Sequence, residues 1–232
     1  MRLKFLSFML VAMTMPILAL AQARPADVAG VKEWDLVVER TVSVSSRAGT
    51  NNAVANVFDE REERRHCTFR IHLLPEFADE SGAEWSGKGR GEGTVTARRR
   101  AGAAGVAEES LDQRDASGGY DAEATLQIDL EKRRYRFEVQ GGEGMKGSMV
   151  TRKRGKEHSS DHTETCSAGV TEQPLPERGM ILSGSVTKET PLSGSTGGVR
   201  SEGAQRVTTT WTFKPRGRVT ARLFIEPGPG YA

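Results

Sequence analysis

The fold class is decided by one stretch, AEATLQIDLEKRRYRFEV, which spans residues 122–139. In its first half, small and apolar residues alternate with polar ones; in its second half, aromatic and apolar residues alternate with charged ones. Successive side chains of a β-strand point to opposite faces of a sheet, so this period of two predicts two strands, each with one dry and one wet face. The charged run 131–134 predicts the turn, and the stretch is therefore a predicted β-hairpin.

The same alternation recurs on both sides of this hairpin. It predicts strands at 36–44 and 67–73 and shorter strands at 148–152, 163–168 and 180–187. Residues 207–213 and 219–225 alternate around the turn sequence Lys214-Pro215-Arg216-Gly217, which predicts a second hairpin. Charged residues at every second position argue against a parallel sheet covered by helices. The predicted fold is all-β: an antiparallel β-sandwich, or an open or closed barrel, with long Gly/Ser/charged loops.

Three segments lack a periodic pattern and are rich in Gly, Ser and charged residues: 99–119, 154–160 and 190–204. We predict mobile loops there. The hydrophobic content of 36% is low for a globular chain and indicates a thin core, with much of the chain outside it. We expect residues 24–232 to form a single all-β domain.

Residues 1–23 have the composition of a cleaved signal peptide. Arg2 and Lys4 precede an apolar run over 6–20, which ends in Ala21-Gln22-Ala23. The run is shorter than the roughly 20 residues that span a bilayer, and no later stretch is apolar enough to do so as a helix. We therefore predict a periplasmic or secreted protein with no transmembrane segment after cleavage.

Removing the leader balances the charge of the chain. The sequence has 33 Lys+Arg and 31 Asp+Glu, and the leader contains two of the basic residues. The remaining chain thus has 31 of each and a formal net charge of zero. This balance argues against a protein that binds nucleic acid through overall basicity.

The two cysteines are Cys67 and Cys166. In an oxidising compartment we expect them to form one disulfide, since free thiols are uncommon there. The bond would close a loop of about 100 residues, which stabilises by several kcal/mol in the chain-entropy model.

Histidines lie close in sequence to both cysteines and suggest a metal site. The disulfide would bring His66 near His162 and Glu164, and imidazole with carboxylate suits zinc or copper. In extended strands His162 and Glu164 share a face with Cys166, whereas His66 lies opposite Cys67, which weakens this interpretation. Exposed, unligated histidines are the alternative, and no cofactor is predicted. The Gly/Ser run 193–198 has the composition of the nucleophile loop of a serine hydrolase. It lacks the G-x-S-x-G motif, so it gives little support to a hydrolase.

A glycine stripe marks residues 87–93, where every second residue is Gly and the residues between are charged. As a strand, this segment has one bare face that admits an aromatic ring, another backbone or a flat ligand. A flexible loop is the alternative.

Basic residues form three clusters that provide a predicted anion-binding surface: Arg98, Arg99 and Arg100; Arg133 and Arg134; and Arg152, Lys153 and Arg154. Gathered at one rim, they would attract an unknown protein partner or an anionic glycan. A solvated charged face is the alternative. We predict an exported binding or structural module that performs no chemistry. The alternatives are a metal-dependent or hydrolytic enzyme that uses the His, Asp and Glu residues near the cysteines, and a periplasmic accessory or inhibitor protein.

Overall fold

The computed structural model describes residues 28, 30–50, 57–103, 110–142, 144–177, 179–196 and 199–216. The predicted signal peptide and the predicted strand 219–225 lie outside the described residues. Within them the chain forms eleven β-strands: β1 (Glu33–Gly49), β2 (Val57–Ala78), β3 (Gly82–Ala103), β4 (Ser110–Asp129), β5 (Arg134–Gly141), β6 (Met145–Lys153), β7 (Lys156–Glu164), β8 (Ser167–Pro174), β9 (Leu182–Pro191), β10 (Gly194–Thr196) and β11 (Val199–Arg216).

All eleven strands belong to one antiparallel sheet. Strands β1 to β4 follow one another as a meander, and β11 returns to pair with β1. The outer edge of β11 pairs with β9 and β10. At the other side, β4 pairs with β5 along one half of its length and with β6 along the other half. Strand β8 follows β5, and β7 follows β6.

The hairpin predicted at 122–139 is present as β4 and β5. Leu126 lies opposite Phe137 and Ile128 lies opposite Tyr135, and all four side chains are buried. The intervening polar residues point outward, as the alternation predicts. Antiparallel all-β structure is therefore confirmed.

The sheet curls until β5 meets β11, although five pairings separate them in strand order. The ring centroid of Phe137 lies 5.5 Å from that of Trp211 and 5.2 Å from that of Phe213. The Trp211 indole N–H donates a hydrogen bond of 2.9 Å to the Tyr135 hydroxyl. No backbone pairing joins β8 to β9 or β10 among the described residues. The fold is thus an open barrel whose inner faces pack as in a sandwich.

Aromatic side chains fill one end of this interior, which we call the core end. Trp34 meets Trp85 and Phe213 edge-to-face, with centroid distances of 6.0 and 6.2 Å, an arrangement that aromatic pairs favour. The Trp85 indole donates to the Val31 carbonyl at 3.0 Å. The long central strands continue beyond this core into what we call the polar end, residues 44–49, 57–65, 97–103 and 110–116.

The glycine stripe lies on the inner face of β3 and makes room for large neighbours. A Cβ atom on Gly91 would lie 2.6 Å from Cζ of Tyr120, and one on Gly93 would lie 2.7 Å from Sδ of Met145. The Tyr120 ring in turn meets Phe69 edge-to-face at 5.8 Å. The prediction of a bare face under a close neighbour is confirmed.

The three segments predicted as loops are largely strands in the structure. Residues 99–103 and 110–119 belong to β3 and β4, residues 156–160 to β7, and 190–191, 194–196 and 199–204 to β9, β10 and β11. These segments have no apolar face because they extend past the core, so hydrophobic alternation cannot reveal them. Their backbone groups pair with long neighbouring strands instead.

One further expectation differs from the structure. The strand predicted at 163–168 is interrupted, because β7 ends at Glu164 and β8 begins at Ser167 on a different side of the sheet. Of the hairpin predicted between 207–213 and 219–225, the first segment lies in β11 and pairs with β1 on one edge and β9 on the other, and the second segment lies outside the described residues.

Candidate functional site

The two cysteines meet inside the barrel, between the core end and the polar end. Cys67 on β2 and Cys166 between β7 and β8 are both buried and lie at disulfide distance, with their Cα atoms 6.4 Å apart. The pair links strands that are remote in sheet order. The predicted proximity of these residues is confirmed.

Next to this pair, Glu164 is a buried carboxylate surrounded by donors. Its Oε2 accepts a hydrogen bond of 2.8 Å from Arg65, and its Oε1 lies 3.1 Å from a nitrogen of Arg114 and 2.8 Å from Nε2 of His162. The Glu164 residue is 8% exposed. Charged partners of this kind are needed to keep a carboxylate ionised at such burial.

The pKa of Glu164 reflects a balance of opposing causes. Burial acts to raise the pKa, but the hydrogen bond from His162 and the charges of Arg65 and Arg114 outweigh it and lower the pKa below its ordinary value. The carboxylate is therefore ionised at neutral pH and anchors the arginines.

A second buried carboxylate, Glu63, extends this network along the inner face of β2. It lies 2.8 Å from Arg61 and 3.4 Å from Arg65, and Arg65 also donates to the Thr165 carbonyl at 2.6 Å. Arg40 reaches across from β1 and donates to the Ser167 carbonyl. Desolvation lowers the pKa of Arg40, and the nearby charge of Arg65 acts in the same direction.

The network opens into a cleft of about 440 Å³ at the polar end. Its lining includes five arginines and two aspartates: Arg47, Arg61, Arg98, Arg99, Arg114, Asp59 and Asp112. Arg61, Arg99 and Arg114 lie on the inner face. Strand alternation places Arg47 and Arg98 on the outer face, so they line the cleft only at its rim. Arginines with fixed guanidinium groups are suited to bind carboxylate, sulfate or phosphate.

Carboxylates on the inner face hold arginines of the cleft in place. Arg61 and Arg114 contact the buried carboxylates of Glu63 and Glu164. The Arg99 guanidinium binds Asp59 through two bonds, Nε–Oδ1 at 3.0 Å and Nη2–Oδ2 at 2.6 Å. Such pairs reduce the entropy that the side chains lose when a ligand binds.

Two polar groups of the cleft have no partner among the described residues. Arg98 forms no ion pair with the carboxylates that the structure describes. Oδ1 of Asp112 is buried and accepts no hydrogen bond within the same part of the chain. The cleft therefore offers a free guanidinium at its rim and a free acceptor inside.

Six of the eight predicted basic residues lie at the same end of the sheet as this cleft, and two of them, Arg98 and Arg99, line it. Arg100 lies opposite Leu111, and Leu111 lies opposite Arg152, so the first and third clusters share one end of the sheet. Lys153 and Arg154 form the adjoining β6–β7 turn. Arg133 and Arg134 lie instead at the core end, in the β4–β5 turn, where Arg134 pairs with Glu172.

The proposed metal ligands are partly brought together. His162 and Glu164 are adjacent, but His66 lies on the outer face, where its Nε2 is 3.6 Å from Glu39. The described residues contain no group of three or more His, Cys, Asp and Glu side chains placed to hold a metal. Two arginines occupy the remaining coordination directions of Glu164, which suits an ion-pair network better than a cation site.

A nucleophile–base pair is also absent from the described part of the chain. There, His72 and His162 hydrogen-bond to carboxylates, and no hydroxyl is hydrogen-bonded to a histidine. Ser195, in the Gly/Ser run, lies on β10 opposite Arg200.

Sequence reasoning missed the inner arginines and carboxylates at the polar end. Arg61, Glu63 and Arg65 share the parity of Cys67, so extending strand β2 backward from the cysteine would have placed them inside. Arg114 shares the parity of Ala122 on β4 in the same way.

Comparisons with known proteins identify no family for this chain. No family model matches it, and no curated protein matches it. Among solved structures, it is similar to the secretin InvG of the Salmonella SPI-1 type III secretion injectisome (residues 176-end, open gate state) at 9% identity and a TM-score of 0.20. The match covers 79% of this chain and 58% of the secretin chain. No helix in the described residues is long and apolar enough to cross a membrane.

Proposed function

We propose that this protein is an extracytoplasmic, non-catalytic binding module that holds an anionic partner in the arginine-lined cleft at its polar end. The observation that carries the proposal is the cleft itself, which is lined by five arginines. Four of them are fixed by ion pairs with carboxylates, and Arg98 is the one without such a pair among the described residues. The leader sequence and the buried cysteine pair support a place outside the cytoplasm.

The charge balance of the chain strengthens this proposal. Residues 24–232 have a formal net charge of zero, so attraction of a polyanion requires that basic residues be segregated. The cleft arginines contribute to that segregation, and Arg100 and Lys153 lie at the same end of the sheet. Arg152 lies there too but is paired with Glu157. The field there attracts a ligand with carboxylates, sulfates or phosphates, more strongly at low salt.

The test is retention of the mature chain on an immobilised sulfated polysaccharide such as heparin, eluted with salt. Arg98→Gln with Arg99→Gln removes two charges at the cleft, and Arg133→Gln with Arg134→Gln removes two charges at the core end. The two variants have the same net charge, so a difference between them reports the location of binding.

We expect the cleft variant to elute at clearly lower salt and to bind about tenfold more weakly, with the core-end variant close to wild type. Equal shifts in both variants, with unchanged far-UV circular dichroism, would show that retention follows net charge alone and would overturn the proposal.

A further inference from the structure

The outer face of the sheet contains a lateral row of hydroxyl and imidazole groups. Thr208 on β11 lies opposite Thr41 on β1, which lies opposite His66 on β2, which in turn lies opposite Thr94 on β3. Neighbouring strands are about 4.8 Å apart, so the row places a hydrogen-bonding side chain at each such step across four strands. On β9, the Thr187 hydroxyl lies 3.0 Å from that of Thr208 and extends the row.

A parallel row, two residues along each strand, adds positive charge. Arg206 lies opposite Ser43, Ser43 lies opposite Arg64, and Arg64 lies opposite Thr96. The two arginines are two strands apart, which places their Cα atoms about 10 Å from each other. Neither is within ion-pair distance of a carboxylate among the described residues, although Glu189 on β9 is the cross-strand neighbour of Arg206.

A groove of about 570 Å³ lies over these two rows. Thr41, Ser43, Arg64, Thr96, Arg206 and Thr208 line it, and its lining includes no aspartate or glutamate. This distinguishes it from the inner cleft, where carboxylates neutralise much of the arginine charge. By strand alternation, the groove lies on the face opposite to the inner arginines Arg61, Arg99 and Arg114. Arg98 lies on the same face as the groove, two residues along β3 from Thr96.

We propose that this groove is a second binding site, for an acidic polysaccharide strand that lies across β11, β1, β2 and β3. Its acid groups bind Arg206 and Arg64, and its hydroxyls exchange hydrogen bonds with the threonine row. A 1,4-linked sugar ring is about as long as the spacing between strands, so successive rings follow successive strands. This inference goes beyond the proposed function and does not require the inner cleft.

The chemistry of the lining favours a saccharide over an acidic peptide. Threonine and serine hydroxyls both donate and accept, which matches the hydroxyls of a sugar. Acidic peptide side chains only accept when ionised, so they use the donor of each threonine hydroxyl but leave its acceptor capacity unused.

The test is titration of heparin, uncharged dextran and poly-L-glutamate, each at several salt concentrations. Three paired variants are compared: Arg64→Gln with Arg206→Gln, Thr41→Val with Thr208→Val, and Arg70→Gln with Arg90→Gln. The last pair is the matched control, because Arg70 and Arg90 are cross-strand neighbours outside the lining of the groove. All are measured in both the wild-type and the Arg99→Gln chains, which separates this site from the cleft because Arg99 lies on the inner face.

We expect the groove arginine variant to lose at least about tenfold in affinity for heparin, with the salt slope reduced by about two. The threonine variant should lose affinity several-fold with an unchanged slope, and the control should stay within about twofold of wild type. Dextran should bind weakly. These results in the Arg99→Gln background would establish the groove even if the cleft binds nothing.

Two outcomes would overturn the inference. One is that the Arg64→Gln/Arg206→Gln variant binds heparin as tightly as the Arg70→Gln/Arg90→Gln control does. The other is poly-L-glutamate binding as tightly as heparin while the threonine variant matches wild type, which would assign the groove to an acidic protein surface.

Discussion

Replacing Glu164 by glutamine probes the buried network that positions the cleft arginines. Glutamine keeps the shape of the side chain but removes its charge and directs an NH₂ group at one of three donors. Breaking a buried ion pair by changing one partner destabilises by about 3–5 kcal/mol. Arg65 and Arg114 keep 23% and 30% of their side-chain surface in water, and the glutamine carbonyl retains one acceptor. We therefore expect a loss of about 2–3 kcal/mol.

The assay is urea unfolding of the mature chain at pH 7, followed by tryptophan fluorescence. Glu172→Gln is the control, because its ion pair with Arg134 is 59% and 54% exposed and should contribute less than about 1 kcal/mol. A Glu164→Gln variant as stable as this control would refute the view that Glu164 anchors the arginines.

The difference in stability between the wild type and the Glu164→Gln variant should also depend on pH. Folding lowers the pKa of Glu164 below its ordinary value of 4.5, so its stabilisation is fully present above the pKa of the unfolded chain. It is lost as the pH falls through the lower pKa of the folded state. The stability gap between wild type and Glu164→Gln should therefore narrow below about pH 4. A gap of the same size at pH 3 and pH 7 would contradict this account.

Three other predictions concern the cysteine pair, the glycine stripe and the leader. Replacing Cys67 and Cys166 together by serine should lower stability by about 4–5 kcal/mol, measured as the change in the urea midpoint; equal midpoints would argue against a bond. Gly91→Ala should lower the thermal midpoint, because its Cβ would meet the ring of Tyr120 at 2.6 Å from Cζ and overpacking of this kind destabilises by about 1–3 kcal/mol; an unchanged midpoint would show that the ring moves freely. Mass spectrometry of the exported protein should find the N-terminus directly after Ala23, whereas an intact leader would rule out cleavage there.

The core half of the fold is predictable from the sequence because its strands have one apolar face. Leu126, Ile128, Tyr135 and Phe137 alternate with polar residues, and each is buried as the alternation predicts. The same rule failed at the polar end. There the inner face contains Arg61, Glu63 and their neighbours. Side chains still alternate between the two faces, but the inward ones are charged, so hydrophobicity does not alternate along the sequence.

The site was only partly predictable for a related reason. Cys67 and Cys166 were paired from compartment and count, and the structure places them at disulfide distance. The basic clusters were visible as runs, but which of them gather depends on pairings over long sequence separations. The pairing of β4 with β6 brings Arg152 near Arg100, and the β4–β5 turn takes Arg134 to the opposite end. No local pattern encodes that choice.

The most direct test of the central claim is hydrogen–deuterium exchange of the mature protein with and without saturating heparin. Binding in the cleft should increase protection at residues 46–48, 59–61, 97–99 and 112–114, which form its walls on four adjacent strands. The β4–β5 turn at 130–134 should be unchanged. Protection confined to that turn, or no protection at the four cleft segments, would contradict a binding cleft at the polar end.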